Sequence, residues 1–176
     1  MKLDGKKVLI VIPHTQFRDE EFFEPKKILS DEGANVVVAS TSARMCHGMK
    51  GGTAQAEIAI ADAKADDYDA IVLCGGSSVP EFLWNDKKLQ ELVTAMASAD
   101  KVVAAICLST VVLAKAKLLT DREATVYFLP EAIDALKEAG AKYVNETLLI
   151  HHNIILAEGP RDSQRFGQAI RSALAG

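Results

Sequence analysis

The sequence lacks the features of a membrane protein or a nucleic-acid-binding protein. It has no run of about 18 uncharged apolar residues, and its start, MKLDGKKVLIVI, does not have the layout of a signal peptide. Basic residues are not in excess, because 20 Lys and Arg stand against 24 Asp and Glu and no long basic run occurs. We therefore expect a soluble, cytoplasmic protein whose main partner is neither nucleic acid nor an anionic membrane.

Cysteine is scarce as well. Cys46, Cys74 and Cys107 form no CxxC pair and no even-numbered set, so we expect free thiols in a reducing compartment. Two adjacent pairs, Cys46–His47 and His151–His152, contain metal-ligating residue types. Side chains next to each other on an extended chain point to opposite sides, which disfavours joint chelation, and we expect no metal site.

Short runs rich in Val, Ile and Leu alternate with amphipathic segments along the whole chain. Such continuous apolar runs are typical of parallel strands that are buried on both faces by helices. The pattern predicts one doubly wound α/β domain over residues 1–176, with a mostly parallel sheet in a three-layer α/β/α sandwich. The predicted strands are 6–12, 34–40, 69–76, 101–107 and 124–128, with short paired strands in 141–159; the predicted helices are 22–33, 85–100, 108–119, 130–140 and 161–176; residues 43–60 are predicted as an irregular loop or hairpin.

Ligands of such a sheet bind at the carboxyl ends of the strands, and one strand end carries a thiol. Cys107 lies where the apolar run VVAAI stops and a helical pattern starts, and a helix N-terminus there would depress its pKa. The alternative is that Cys107 is a small core residue, because free cysteines usually pack without reacting. Cys74 is likewise interpreted as a packed core residue, and the alternative is that it is a second redox-active thiol.

Two further features lie at the same edge of the predicted sheet. Gly75 and Gly76 end the preceding strand, and the N–H groups of Gly76 and Leu108 could together form an oxyanion hole. His14 follows the first strand and is a candidate base, although a capping or surface histidine is the alternative.

Three short motifs carry a resemblance to a known family. The residues AAIC (104–107), VLCGG (72–76) and EFFEP (21–25) resemble the nucleophile turn, the Gly-Gly strand end and the first-helix glutamate of the DJ-1/ThiJ/PfpI superfamily. The resemblance implies a flavodoxin-like sandwich, a homodimer or higher homo-oligomer, and no cofactor. It further implies that Cys107 is the nucleophile and that Glu21 contacts its sulfur; the alternative for Glu21 is a solvated carboxylate in the first turn of a helix.

The sequence departs from that family where a histidine is usual. Leu108 follows the cysteine where protease-like members have histidine, and TVYFLP (125–130) has no histidine where closer members place one. Peptide hydrolysis is therefore doubtful, because it requires a proton for the leaving amine. We expect action on small reactive carbonyl compounds, of the glyoxalase or deglycase type, or a part in the oxidative-stress response. The alternatives are a non-enzymatic redox sensor or chaperone-like dimer and a cysteine peptidase or amidase.

Overall fold

Twelve strands and six helices make up the structure, a computed structural model that describes residues Met1–Gly176. The strands are β1 Lys7–Val11, β2 Thr15–Phe17, β3 Asn35–Ser40, β4 Met45–Gly48, β5 Thr53–Gln55, β6 Ile58–Ala59, β7 Ala70–Leu73, β8 Val102–Ile106, β9 Glu123–Ala124, β10 Lys142–Tyr143, β11 Leu148–His151 and β12 Ile154–Ala157. The helices are α1 Asp19–Asp31, α2 Val79–Phe82, α3 Lys87–Ser98, α4 Thr110–Lys115, α5 Pro130–Glu138 and α6 Ser163–Ala175.

A seven-stranded sheet forms the centre, in the order β11-β12-β8-β7-β1-β3-β6. All neighbours pair in parallel except β11 and β12, which are antiparallel. Strands β7, β8 and β12 are buried along their whole length, as is β1 beyond its first residue. Burial on both faces explains why these strands read as unbroken apolar runs, and the predicted mostly parallel sheet is confirmed.

Helices cover both faces of this sheet. α1 packs against α6, whereas α3 packs against α4 and α4 against α5. The three-layer α/β/α sandwich predicted from the alternating pattern is thereby confirmed. None of these helices is long and apolar enough to cross a membrane.

Residues 43–60, predicted as an irregular loop or a hairpin, contain a hairpin. β4 and β5 pair antiparallel, and β2 adds to β4 to make a separate three-stranded sheet. Both carboxylate oxygens of Asp19, at the start of α1, accept hydrogen bonds from the backbone N–H groups of Lys50 and Gly52, at 2.9 and 2.8 Å. The hairpin is therefore tied to the beginning of α1.

Three predicted boundaries are wrong. In place of the strand predicted over 124–128, the structure has only the two-residue strand β9, which pairs with β10 outside the central sheet. Tyr127 and Phe128, which the prediction included as buried strand residues, are 45% and 70% exposed. The helix predicted over 108–119 is a 3₁₀ turn at Cys107–Ser109 followed by α4, and Lys117, at φ 66°, adopts a left-handed conformation that ends it. The first helix begins at Asp19 rather than at residue 22, which brings Glu21 into its first turn.

Candidate active site

Cys107 lies directly after β8 in a strained backbone conformation. Its φ is 65°, in the left-handed region that residues with a Cβ rarely adopt. Such strain is typical of a sharp strand-to-helix turn, and it holds the side chain at the carboxyl edge of the sheet. The residue is 6% exposed, whereas Cys46 and Cys74 are fully buried. Cys107 is thus the one cysteine of the three that has exposed surface.

Glu21 is fully buried beside this thiol. Its Oε1 accepts a hydrogen bond of 2.9 Å from the N–H of Gly75, while Oε2 is buried without a hydrogen-bond partner. Burial raises the pKa of Glu21 to about 8, although the Gly75 N–H and the Cys107 thiol act to lower it. Near neutral pH the carboxyl is therefore largely protonated and can donate a hydrogen bond. Glu21 is not a solvated carboxylate of the helix surface.

The pKa of Cys107 is raised well above its ordinary value. Burial is the main cause, and the negative charge of Glu21 adds to it, whereas the N–H groups of Leu108 and Gly76 lower the pKa. The depressed pKa expected from the sequence is therefore wrong. A helix N-terminus was visible in the pattern, but neither the burial of the sulfur nor the acid beside it was.

Gly75 and Gly76 bring the backbone close because neither position has room for a side chain. A Cβ on Gly75 would lie 2.9 Å from the Cys107 sulfur, in the space between thiol and carboxyl. Gly76 has a φ of 143°, and a Cβ there would collide with the backbone of Gln16 and Phe17. The backbone N–H groups of Gly76 and Leu108 act on the Cys107 sulfur to lower its pKa, and the oxyanion hole expected from them stays a prediction.

Several hydrogen bonds that hold this backbone were not predicted from the sequence. Trp84 Nε1 donates to the carbonyl of Leu108 at 2.8 Å, and the hydroxyl of Ser109 donates to the carbonyl of Cys74. The Cys74 thiol donates to the backbone carbonyl of Glu21 at 3.1 Å, and burial raises its pKa well above the ordinary value. Cys74 therefore connects α1 to the end of β7 as a packed thiol. The only signals available were that Ser109 lies two residues after Cys107 and that Trp84 is the single tryptophan of the chain.

An open cavity of about 480 Å³ lies over the sulfur. Besides Cys107, Gly76 and Leu108, its walls include Arg18, Met49, Tyr127, Leu129, Glu131 and Pro160. A second cavity of about 480 Å³ adjoins it and shares the side chains of Arg18, Tyr127 and Pro160. A cavity of this size is typical of a small-molecule site.

His14 does not line either of these cavities. Its ring packs edge-on against Phe82, with centroids 4.4 Å apart, and its Nδ1 is 3.4 Å from the hydroxyl of Thr41. The other histidines do not reach the cavities either, and no three His, Cys, Asp or Glu side chains cluster as metal ligands would. The structure thus brings together Cys107, Glu21, Gly76 and Leu108, and leaves His14 apart from them.

Comparisons with known proteins identify the family and the fold. The model of the DJ-1/PfpI family matches residues 6–173. An uncharacterised protein of Methanocaldococcus jannaschii is 46% identical over 98% of this chain and 84% of its own length. A protein of Pyrococcus abyssi named a deglycase is 31% identical over 88% of this chain and 91% of its own. The crystal structure of a ThiJ/PfpI domain protein from Brachyspira murdochii superposes with a TM-score of 0.90, at 30% identity, over 97% of this chain and 98% of that one.

Proposed function

The chain belongs to the DJ-1/PfpI family, and we propose that it is a cysteine-dependent enzyme that converts small 2-oxoaldehydes into 2-hydroxy acids. One observation carries the proposal: the thiol at the floor of an open cavity lies beside a buried carboxyl and two backbone N–H groups. The similarity to a relative named a deglycase also supports chemistry on reactive carbonyls.

The first step is attack of the Cys107 sulfur on the aldehyde carbon. A carbon–sulfur bond forms, the thiol proton ends on the aldehyde oxygen, and the product is a hemithioacetal. The N–H groups of Gly76 and Leu108 stabilise the negative charge that develops on that oxygen during attack. Support for this role comes from the same two N–H groups, which act on the Cys107 sulfur to lower its pKa.

The second step is a proton transfer for which Glu21 is the base. As the carboxylate it removes the proton from the former aldehyde carbon and returns it to the neighbouring carbon, while the hydroxyl proton passes to the neighbouring oxygen. The result is a thioester of the 2-hydroxy acid on Cys107. Water hydrolyses the thioester, releasing the acid and the free thiol, so the net reaction adds one water. A pKa of about 8 suits Glu21 to this exchange near neutral pH.

The direct test is the product formed from methylglyoxal in deuterated water, followed by proton NMR. We expect lactate to appear without added thiol or cofactor, with deuterium at its second carbon, because the Glu21 proton exchanges with solvent between the two transfers. Absence of lactate would overturn the proposal. Lactate with hydrogen alone at that carbon would show only that the transferred hydrogen does not exchange with solvent, and turnover by the Glu21→Gln variant would then decide whether Glu21 is the base.

A non-enzymatic redox sensor is a second candidate, because the same protonated Glu21 could donate a hydrogen bond to an oxidised sulfur. Two substitutions separate the candidates. Glu21→Gln keeps the shape and a donor but cannot exchange a proton, so methylglyoxal turnover should fall by about 10²-fold or more, while oxidation of Cys107 to the sulfinate should largely survive. Glu21→Ala removes the donor too and should impair both.

The readouts are lactate formation and mass spectrometry of Cys107 after mild peroxide treatment. Glu24→Gln, which removes a half-buried carboxyl from the same helix, is the matched control and should behave like wild type in both. Wild-type behaviour of both Glu21 variants would refute the assignment of Glu21 to the site.

Peptide hydrolysis has less support. No histidine lines the cavity, and the residues in the two usual positions for a base, Leu108 and the 125–130 segment, supply none. The expected homodimer or higher homo-oligomer stays a prediction.

A further inference from the structure

We propose that Arg18 binds a carboxylate of the substrate, so that the enzyme selects 2-oxoaldehydes that carry an acidic group at the end remote from the aldehyde. This inference rests on the proposed function and names the substrate class for the same site. Three features carry it: where Arg18 lies, how its guanidinium is held, and the shape of the two adjoining cavities.

Arg18 lies at the junction between the site and the outer cavity. It immediately precedes α1, and its backbone N–H donates a 2.9 Å hydrogen bond to the carbonyl of Gly75. Its side chain lines both the cavity over Cys107 and the second cavity beside it. Among the residues that line the cavity over the sulfur, Arg18 is the only one with a positive side chain.

The guanidinium of Arg18 is held in place without using all its donors. Nε and Nη2 donate to the two carboxylate oxygens of Glu20 at 3.1 and 3.2 Å, and Glu20 is held in turn by Lys50 Nζ at 3.1 Å. Nη1 makes no hydrogen bond, and the side chain is 27% exposed. A guanidinium fixed on one edge and free on the other is preorganised to bind a carboxylate.

The pKa shifts of Arg18 and Glu20 agree with this geometry. The hydrogen bond to Glu20 raises the pKa of Arg18, and the charges of Glu21 and Cys107 contribute in the same direction. The guanidinium is therefore within electrostatic reach of both reacting groups. For Glu20, burial acts to raise the pKa, but the hydrogen bonds from Arg18 and Lys50 outweigh it and lower the pKa to about 2.

The cavities are larger than a three-carbon aldehyde requires. Together they extend from the sulfur past Arg18 to the exposed rings of Tyr127 and Phe128 and the side chain of Arg161. With the aldehyde between the N–H groups of Gly76 and Leu108, the rest of a longer substrate extends toward Arg18. A carboxylate there meets a charge-assisted donor pair, whereas a bare alkyl chain leaves those donors unused.

The test compares 4,5-dioxopentanoate, a 2-oxoaldehyde with a remote carboxylate, with its neutral methyl ester. We expect wild type to have a kcat/KM at least about 10-fold higher for the acid, the scale of one charge-assisted hydrogen bond. Arg18→Met should lose this preference through a higher KM for the acid, so that the ratio of kcat/KM for acid and ester falls to about 1 whatever change the two substrates share. Arg18→Lys, which keeps the charge but loses the fork, should lie between them. Arg122→Met, which removes an exposed arginine outside both cavities, is the control and should retain the preference.

A binding measurement separates failure of this inference from failure of the proposed function. Calorimetric titration with 2-hydroxyglutarate, the expected product, requires no turnover. Binding to wild type that weakens by about 10-fold or more in Arg18→Met supports the carboxylate site even if neither aldehyde is converted. Equal rates for acid and ester in wild type, or a preference and product affinity that Arg18→Met retains, would overturn the role of Arg18 while leaving the cysteine chemistry intact.

Discussion

Replacing Cys107 by serine is expected to lower kcat/KM for methylglyoxal by about 10⁴-fold or more, the scale seen when a covalent nucleophile is removed. The serine hydroxyl would occupy nearly the same space beside Gly75 and Glu21, so the fold and the cavity should remain. Its oxygen is far less nucleophilic than sulfur, and no histidine lines the cavity to activate it. Steady-state lactate formation measures the effect, and circular dichroism verifies the fold.

Cys46 provides a matched control. Cys46, whose thiol points to the carbonyl of Arg44 at 3.6 Å, can be replaced by serine with turnover expected within a few-fold of wild type. Limited iodoacetamide treatment should modify Cys107 first, because only this thiol has exposed surface. Cys107→Ser with wild-type turnover, or preferential labelling of Cys46, would contradict the assignment of the nucleophile.

Glu21 should make the protein less stable as the pH rises from about 4.5 to about 8. In the unfolded chain this carboxyl loses its proton near its ordinary pKa of 4.5, whereas burial holds the proton in the folded protein up to about 8. Within that window unfolding releases a proton, so a higher pH favours the unfolded state. The free energy of unfolding therefore falls by on the order of 1 kcal/mol for each pH unit inside the window.

Urea denaturation of wild type and Glu21→Gln across this range measures the effect. The amide cannot titrate, so the free energy of unfolding of Glu21→Gln should lack the decrease that Glu21 causes. The variant should therefore gain stability relative to wild type as the pH rises. Glu20 contributes at lower pH, between about 2 and 4.5, because its pKa is lowered rather than raised. Glu24→Gln should give a profile parallel to wild type. A parallel profile for Glu21→Gln as well would show that Glu21 is not buried as a neutral acid.

The sequence predicted the edge of the sheet where the site lies, because runs such as AIVL and VVAAI, between helical patterns, are typical of strands buried on both faces. The sequence also indicated that Cys107 and Gly76 belong to a site, because the thiol follows the second of these strands and a pair of glycines lies just beyond the end of the first. The contact between Glu21 and the sulfur could not be predicted from such local patterns. It came from resemblance alone, because Asp19 and Glu20 look equally suitable in the local pattern, and only the packing of α1 on the sheet distinguishes them.

Other parts of the site could not be read from local patterns at all. The pKa of Cys107 depends on its burial and on an acid from a distant segment, neither of which leaves a periodic signal. Tyr127 and Phe128 follow an apolar run yet are exposed at the cavity, so hydropathy placed them in a strand. His14 lies at a strand end like the true site residues, but its ring packs on Phe82.

The hydrogen bonds around the sulfur join segments that are far apart in the chain. Glu21 and Gly75 are separated by 54 residues, and Ser109 reaches back 35 residues to Cys74. These segments meet only in the folded state, since closing long loops costs entropy that the native contacts must offset. During synthesis and before folding is complete, Cys107 is therefore an ordinary exposed thiol and Glu21 an ordinary acid. The reactive pair comes into existence only when β1, β7 and β8 have paired, so chemical selectivity is a property that the chain acquires with its topology.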